Sequence, residues 1–74
     1  MTDEALRALP KVDRVVAHPA LDEAKRALGL PAVTELVRDA IAEARRAVRE
    51  GATAPTAEAV AARAAAMARA RLGA

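Results

Sequence analysis

The side chains in this chain best equipped for chemistry are guanidinium groups, because ten of its twelve basic residues are arginine. Arg38, Arg45 and Arg49 are spaced seven and four residues apart, which places them along one line of a helix. Guanidinium groups bind phosphate in planar, bidentate contacts, so this line indicates a nucleic-acid partner. On charge and spacing alone, the favoured interpretation is nevertheless a solvated helix face, because arginine is also a good helix former in alanine-rich chains.

Other reactive groups are few. The chain lacks cysteine, serine and tyrosine, and we interpret its single histidine, His18, as a polar residue beside a helix. Asp39 and Glu43 are one helical turn apart among arginines, which indicates surface ion pairs rather than an acid/base pair. The three glycines fall where helices end, so no phosphate-binding glycine loop is predicted. We therefore expect no catalytic residue, no metal site and no cofactor site, and no enzyme activity from this chain on its own.

A long helix over residues 31–51 is predicted to present the arginine line. Its apolar residues recur at helical spacing and predict one buried stripe: Val33, Leu36, Val37, Ala40, Ile41, Ala44 and Val48. Pro31 suits the first turn of a helix, and Gly51 suits the exit from the last turn.

Shorter helices are predicted on both sides of the long one. Prolines divide the first thirty residues into pieces ending near Leu9, Ala17 and Leu28. The valine-rich piece at 12–16 is interpreted as a helix, because the chain offers no partner strand. Thr56 is a candidate cap for a last, alanine-rich helix that runs to about Leu72.

The predicted fold is an all-α bundle of four to five helices with one long central helix. Residues 1–51 form the helical domain in this interpretation, and residues 52–74 are its last element or the start of a linker. The last helix has few large apolar residues, so we expect it to be loosely packed or to begin a connector. Since 23 of the 40 hydrophobic residues are alanine, we also expect marginal stability.

Composition bears on the cellular location too. The absence of cysteine fits a reducing compartment, and no apolar run approaches the length of a membrane span. The first residues also lack the pattern of a secretion signal. We therefore expect a soluble, cytoplasmic protein without a membrane partner.

Two stretches of the chain resemble one protein family. Residues 9–16, LPKVDRVV, resemble the "LPxVDRLL" opening of bacterial selenocysteine synthase, the L-seryl-tRNA(Sec) selenium transferase. Residues 33–49 resemble the "VxELLRxxLxEARxxIR" helix of the same family, through VTELVR, Ile41, EAR at 43–45 and VR at 48–49. The resemblance covers roughly residues 6–51, with both motifs in the expected order and at the expected distance.

The resemblance implies a role in selenocysteine biosynthesis. The family uses pyridoxal phosphate and selenophosphate to convert seryl-tRNA(Sec) to selenocysteinyl-tRNA(Sec), and it works as a cytoplasmic homo-oligomer, a ring of dimers. Its small helical N-terminal domain recognises the D-arm side of the tRNA and precedes the catalytic core. By this resemblance the chain is that domain, which binds tRNA(Sec), adjoins the core of the same polypeptide and is monomeric in isolation. The lysine that binds pyridoxal phosphate is then expected in the core, because neither Lys11 nor Lys25 lies in a matching motif.

The candidate tRNA-binding residues follow from the basic side chains and the resemblance together. They are Lys11, Arg14, Arg38, Arg45, Arg46 and Arg49. Two of them have a competing interpretation as structural ion pairs, Arg14 with Asp13 or an acid on the long helix, and Arg38 with Glu35 or Asp39. The alternative function is a helical protein–protein interaction module without RNA binding. A DNA-binding helix-turn-helix ranks lowest, since the basic residues lie at the middle and end of the long helix.

Overall fold

The computed structural model describes residues 2–73, which form five α-helices and one 3-10 turn without a strand. In chain order these are α1 (Thr2–Arg7), α2 (Val12–Val16), the turn (Pro19–Leu21), α3 (Asp22–Leu28), α4 (Leu30–Arg49) and α5 (Ala57–Gly73). The predicted fold class, an all-α bundle with one long central helix, is confirmed. No helix in this described range is long and apolar enough to cross a membrane.

The inner side of α4 is the one that the apolar spacing predicts. Val33, Leu36, Val37, Ala40, Ile41 and Val48 are buried, and Ala44 is half-buried. The first five of these residues form one core with Val15 of α2 and Leu21 of the 3-10 turn, both of which are fully buried. Because every apolar residue of the stripe points inward, the charged residues of α4 are left on its outer side.

Glycines fix both ends of α4. Gly29 joins α3 to α4 with φ +87° and ψ +155°, a backbone conformation that is essentially restricted to glycine. At the other end Gly51 has φ +107°, and its N–H donates to the carbonyl of Val48 at 3.0 Å. The N–H of Ala52 donates to the carbonyl of Ala47 at 2.9 Å, which completes a Schellman motif. The helix therefore ends where the sequence predicts.

Residues 19–28, predicted as one helix, divide into the 3-10 turn and α3. His18 begins this segment, and its Nδ1 accepts a hydrogen bond from the N–H of Ala20 at 3.1 Å, so its predicted role beside a helix is confirmed. The helix breaks at Leu21, where ψ is near 2° and the side chain is fully buried. Lys25 then ties α3 to α2, because its Nζ donates to the carbonyl of Val16 at 2.9 Å.

The last helix, α5, packs against α4 through small side chains. Thr56 caps it as predicted, since its Oγ1 accepts a hydrogen bond from the N–H of Ala59 at 3.1 Å. Its buried residues are Val60, Ala61, Ala64, Ala65 and Ala68. These five residues are part of the same core as the buried side of α4, so α5 lies against the bundle. Alanine side chains are small, so a helix face made of alanines can be buried against a neighbouring helix without large residues.

Candidate nucleic-acid interface

The basic residues of α4 lie on its solvent-exposed side. Arg38, Arg45, Arg46 and Arg49 are all exposed. At 100° per residue, Arg38, Arg45 and Arg49 fall within about 40° of one another around the helix axis, and Arg46 is rotated by about 80° from Arg38. These four residues are called the α4 arginine face below. It backs directly onto the core, because the opposite side of the same helix carries the buried stripe.

The four arginines differ in their ion pairing. Arg38 pairs with Glu35, one turn earlier, with 3.1 Å between Nη1 and Oε1. This is one of the two structural pairs that the sequence left open for Arg38. Arg45, Arg46 and Arg49 have no carboxylate within 4 Å among the described residues. Three guanidinium groups of the face are thus available to an external anion.

An acidic residue on the flank of this face is held by the neighbouring helix. Arg63 of α5 donates to both carboxylate oxygens of Glu43, from Nε at 2.9 Å and from Nη2 at 3.1 Å. These hydrogen bonds are the main reason that the pKa of Glu43 lies below its ordinary value, and the charges of Arg63 and Arg46 lower it further. The same contact raises the pKa of Arg63. Both side chains are about half exposed, so the pair joins α4 to α5 at the protein surface.

The two candidates outside α4 lie on the far flank of α2. Lys11 and Arg14 line a groove with Arg7 of α1 and with residues 55–57 at the start of α5. Arg38 lines a different groove, on the other flank of α2, together with Lys25. Lys11 and Arg14 are exposed, and Arg14 has no carboxylate within 4 Å in the described part of the chain. The six predicted residues therefore form two basic surfaces, with α2 between them.

This arrangement of exposed guanidinium groups suits phosphate binding. Guanidinium groups on a rigid helix provide positive charge and paired N–H donors to an anion. Within residues 2–73 no group of three or more His, Asp or Glu residues is placed to hold a metal ion. No buried polar side-chain atom in that range lacks a hydrogen-bond partner. The polar chemistry of the structure therefore lies on its surface.

The chain matches a known protein family. The family described as "Selenocysteine synthase N terminal" matches residues 6–45, which are 40 of the 74 residues of the chain. The chain belongs to this family. Comparisons with curated proteins and with solved structures gave no match.

The matched segment of the selenocysteine synthase N-terminal family covers most of the bundle but only part of the basic surface. It extends from within α1 to the start of the last turn of α4 and includes Lys11, Arg14, Arg38 and Arg45. Arg46, the end of α4 and all of α5 lie beyond it. The resemblance drawn from the two sequence motifs is thus confirmed at the level of the family.

Two basic residues at these surfaces are absent from the sequence prediction. Arg7 lines the groove with Lys11 and Arg14, and its spacing of four and seven residues from them is a weak signal, because Pro10 interrupts the helix between them. Arg63 contacts Glu43 across twenty residues of sequence. No local sequence pattern indicates the contact between Arg63 and Glu43, because it depends on how α5 packs against α4.

Proposed function

We propose that this chain is the tRNA-recognition domain of a selenium transferase that converts seryl-tRNA(Sec) to selenocysteinyl-tRNA(Sec). The observation that carries the proposal is the α4 arginine face, where Arg45, Arg46 and Arg49 are exposed and have no ion-pair partner among the described residues. Membership of the selenocysteine synthase N-terminal family supports the choice of RNA over other polyanions. In this proposal the domain binds the tRNA and the catalytic core of the full-length enzyme performs the reaction.

The composition of the chain favours recognition of RNA shape and phosphates. The chain has no aromatic residue, so it cannot stack unpaired bases as single-strand binding proteins do. Exposed arginines instead bind the backbone of a folded duplex. Arg45 and Arg49, one turn apart on the rigid helix, then contact neighbouring phosphates, and Arg46 extends the contact toward α5.

The lysines of this chain do not fit pyridoxal phosphate, the cofactor that the resemblance implies for the full-length enzyme. A pyridoxal-phosphate enzyme binds its cofactor through a Schiff base to a lysine in an enclosed site. The Nζ of Lys25 is held by the carbonyl of Val16 at 2.9 Å and by Asp22 at 3.3 Å. Lys11 is exposed at the start of α2. We therefore propose that the cofactor belongs to the catalytic core of the enzyme.

The alternative of a protein-interaction module has less support. Such modules present a contiguous apolar patch or groove to the partner. In the described part of the chain, the exposed large hydrophobic residues are Leu30 and Leu72, which line different grooves on different helices. Their separation favours the basic surface as the binding site.

The proposal is tested by titrating labelled tRNA(Sec) with this chain and following fluorescence anisotropy, beside an ordinary serine tRNA. We expect tighter binding of tRNA(Sec). Replacing one phosphate-binding arginine lowers the salt dependence of the association constant by about one unit of slope, so Arg45→Ala/Arg49→Ala is expected to lower it by about two. The matched control, Arg69→Ala/Arg71→Ala, removes the same charge from exposed positions of α5. Equal losses in the two double variants would contradict a specific α4 interface.

A further inference from the structure

Two acid–arginine pairs with the same spacing on α4 behave differently. Glu35 precedes Arg38 by three residues, and Glu43 precedes Arg46 by three residues, so both pairs have the geometry of neighbours on a helix surface. Glu35 binds Arg38 at 3.1 Å. Glu43 does not bind Arg46, which has no carboxylate within 4 Å among residues 2–73. The spacing within the two pairs is thus the same, but only Glu43 has a partner on another helix.

The difference is the third residue, Arg63. It engages both carboxylate oxygens of Glu43 from across the α4–α5 contact, at 2.9 and 3.1 Å. A bidentate contact of this kind uses the fork of the guanidinium group fully and holds the carboxylate in one orientation. Glu35 has no such partner in the described structure, so it turns to the arginine on its own helix.

The packing of α5 fixes the position of Arg63 relative to Glu43. Ala61 and Ala64 are fully buried, so α5 is held in place by apolar packing independently of the surface ion pair. Arg63 is therefore presented to Glu43 by a packed helix rather than by a loop. Loss of its charge is expected to free Glu43 without displacing α5.

We propose that Arg63 is a positioning residue for RNA binding, which occupies Glu43 and thereby keeps the guanidinium group of Arg46 available for a phosphate. The proposal rests on the proposed function, because it assigns Arg46 to the same RNA interface. In the absence of Arg63, Glu43 forms an ion pair with Arg46, as Glu35 does with Arg38. Arg63 itself need not contact the RNA.

The test is a set of variants in the tRNA(Sec) titration. Arg63→Gln is expected to lower the affinity and to reduce the salt slope by about one unit, the share of one phosphate contact. Arg63→Gln/Glu43→Gln is expected to recover both values, because Arg46 is released again. The matched control is Arg63→Gln/Glu58→Gln, which has the same net charge as that double variant but keeps Glu43. Recovery in both double variants, or in neither, would overturn the proposal.

A second measurement detects the competition without RNA. The titration of the Glu43 carboxyl group by carbon NMR gives the effect of Arg46→Gln on its pKa, with Arg63 present and with Arg63→Gln. We expect the larger effect when Arg63 is absent, and an equal effect would overturn this inference alone. Failure of the wild-type chain to bind tRNA(Sec) would instead refute the proposed function, and with it the RNA-binding role of Arg46.

Discussion

The packing of α5 on α4 predicts a sharp stability difference between two alanine positions. Ala64 is fully buried, so Ala64→Leu adds three carbon atoms where the helices are already in contact. Overpacking of this kind costs about 1–3 kcal/mol in the free energy of unfolding. For a chain of this size the whole free energy of unfolding is about 3–5 kcal/mol, so the variant loses a large share of it. Ala62→Leu is the matched control, because Ala62 is exposed on the same helix.

The comparison of the two leucine variants separates the effect of packing on stability from the effect of helix propensity. Leucine and alanine have similar helix propensities, and an exposed substitution changes stability by less than about 0.5 kcal/mol. The chain has no Trp, Tyr or Phe, so urea unfolding is followed by circular dichroism at the helix band. With a slope near 1 kcal/mol per molar urea, the midpoint of Ala64→Leu is expected about 1–3 M below that of Ala62→Leu. Equal midpoints would show that α5 does not pack on α4 as described.

Two further predictions concern the start of α4 and the contact between α4 and α5. Gly29→Ala is expected to lower the free energy of unfolding by about 1–3 kcal/mol. The loss is due to backbone strain rather than a steric clash, because the nearest atom to an added Cβ would be Pro31 Cδ at 3.9 Å. An unchanged urea midpoint would contradict this prediction. The Arg63 contact lowers the pKa of Glu43 in the folded state. The ionised Glu43 carboxylate therefore stabilises the folded state above the ordinary carboxyl pKa of about 4.3. This stabilisation is lost as the pH falls through the lowered pKa of Glu43 in the folded protein. The stability difference between the wild type and Glu43→Gln is therefore expected to shrink in acid, and a pH-independent difference would refute this reasoning.

The sequence predicts the central helix well because its signals are local. The apolar stripe of α4 repeats at the helical period, and six of its seven predicted members are buried. Gly29 and Gly51 mark the ends because their backbone conformations are unfavourable for other residues. The same local logic identifies Thr56 as the cap of α5. Each of these features depends on residues a few positions apart.

The features that the sequence leaves open depend on contacts between helices. Alanine carries no periodic hydrophobic signal in a helix that is mostly alanine, so the burial of Ala64 could not be separated from the exposure of Ala62. Local spacing offers Arg38 two acids, and the structure selects Glu35. The separation of Lys11 and Arg14 from Arg38 by the body of α2 likewise depends on tertiary packing. The sequence therefore identifies the basic residues but not their arrangement on the protein surface.

In the proposed function, the exposed arginines on α4 bind the tRNA. It is tested most directly by adding tRNA(Sec) to the isotope-labelled chain and following the Nε–Hε resonances of its arginines. We expect the resonances of Arg45, Arg46 and Arg49 to shift together at low tRNA concentration, while those of Arg69 and Arg71 on α5 stay unchanged. Shifts confined to α5, or spread equally over all ten arginines, would contradict it.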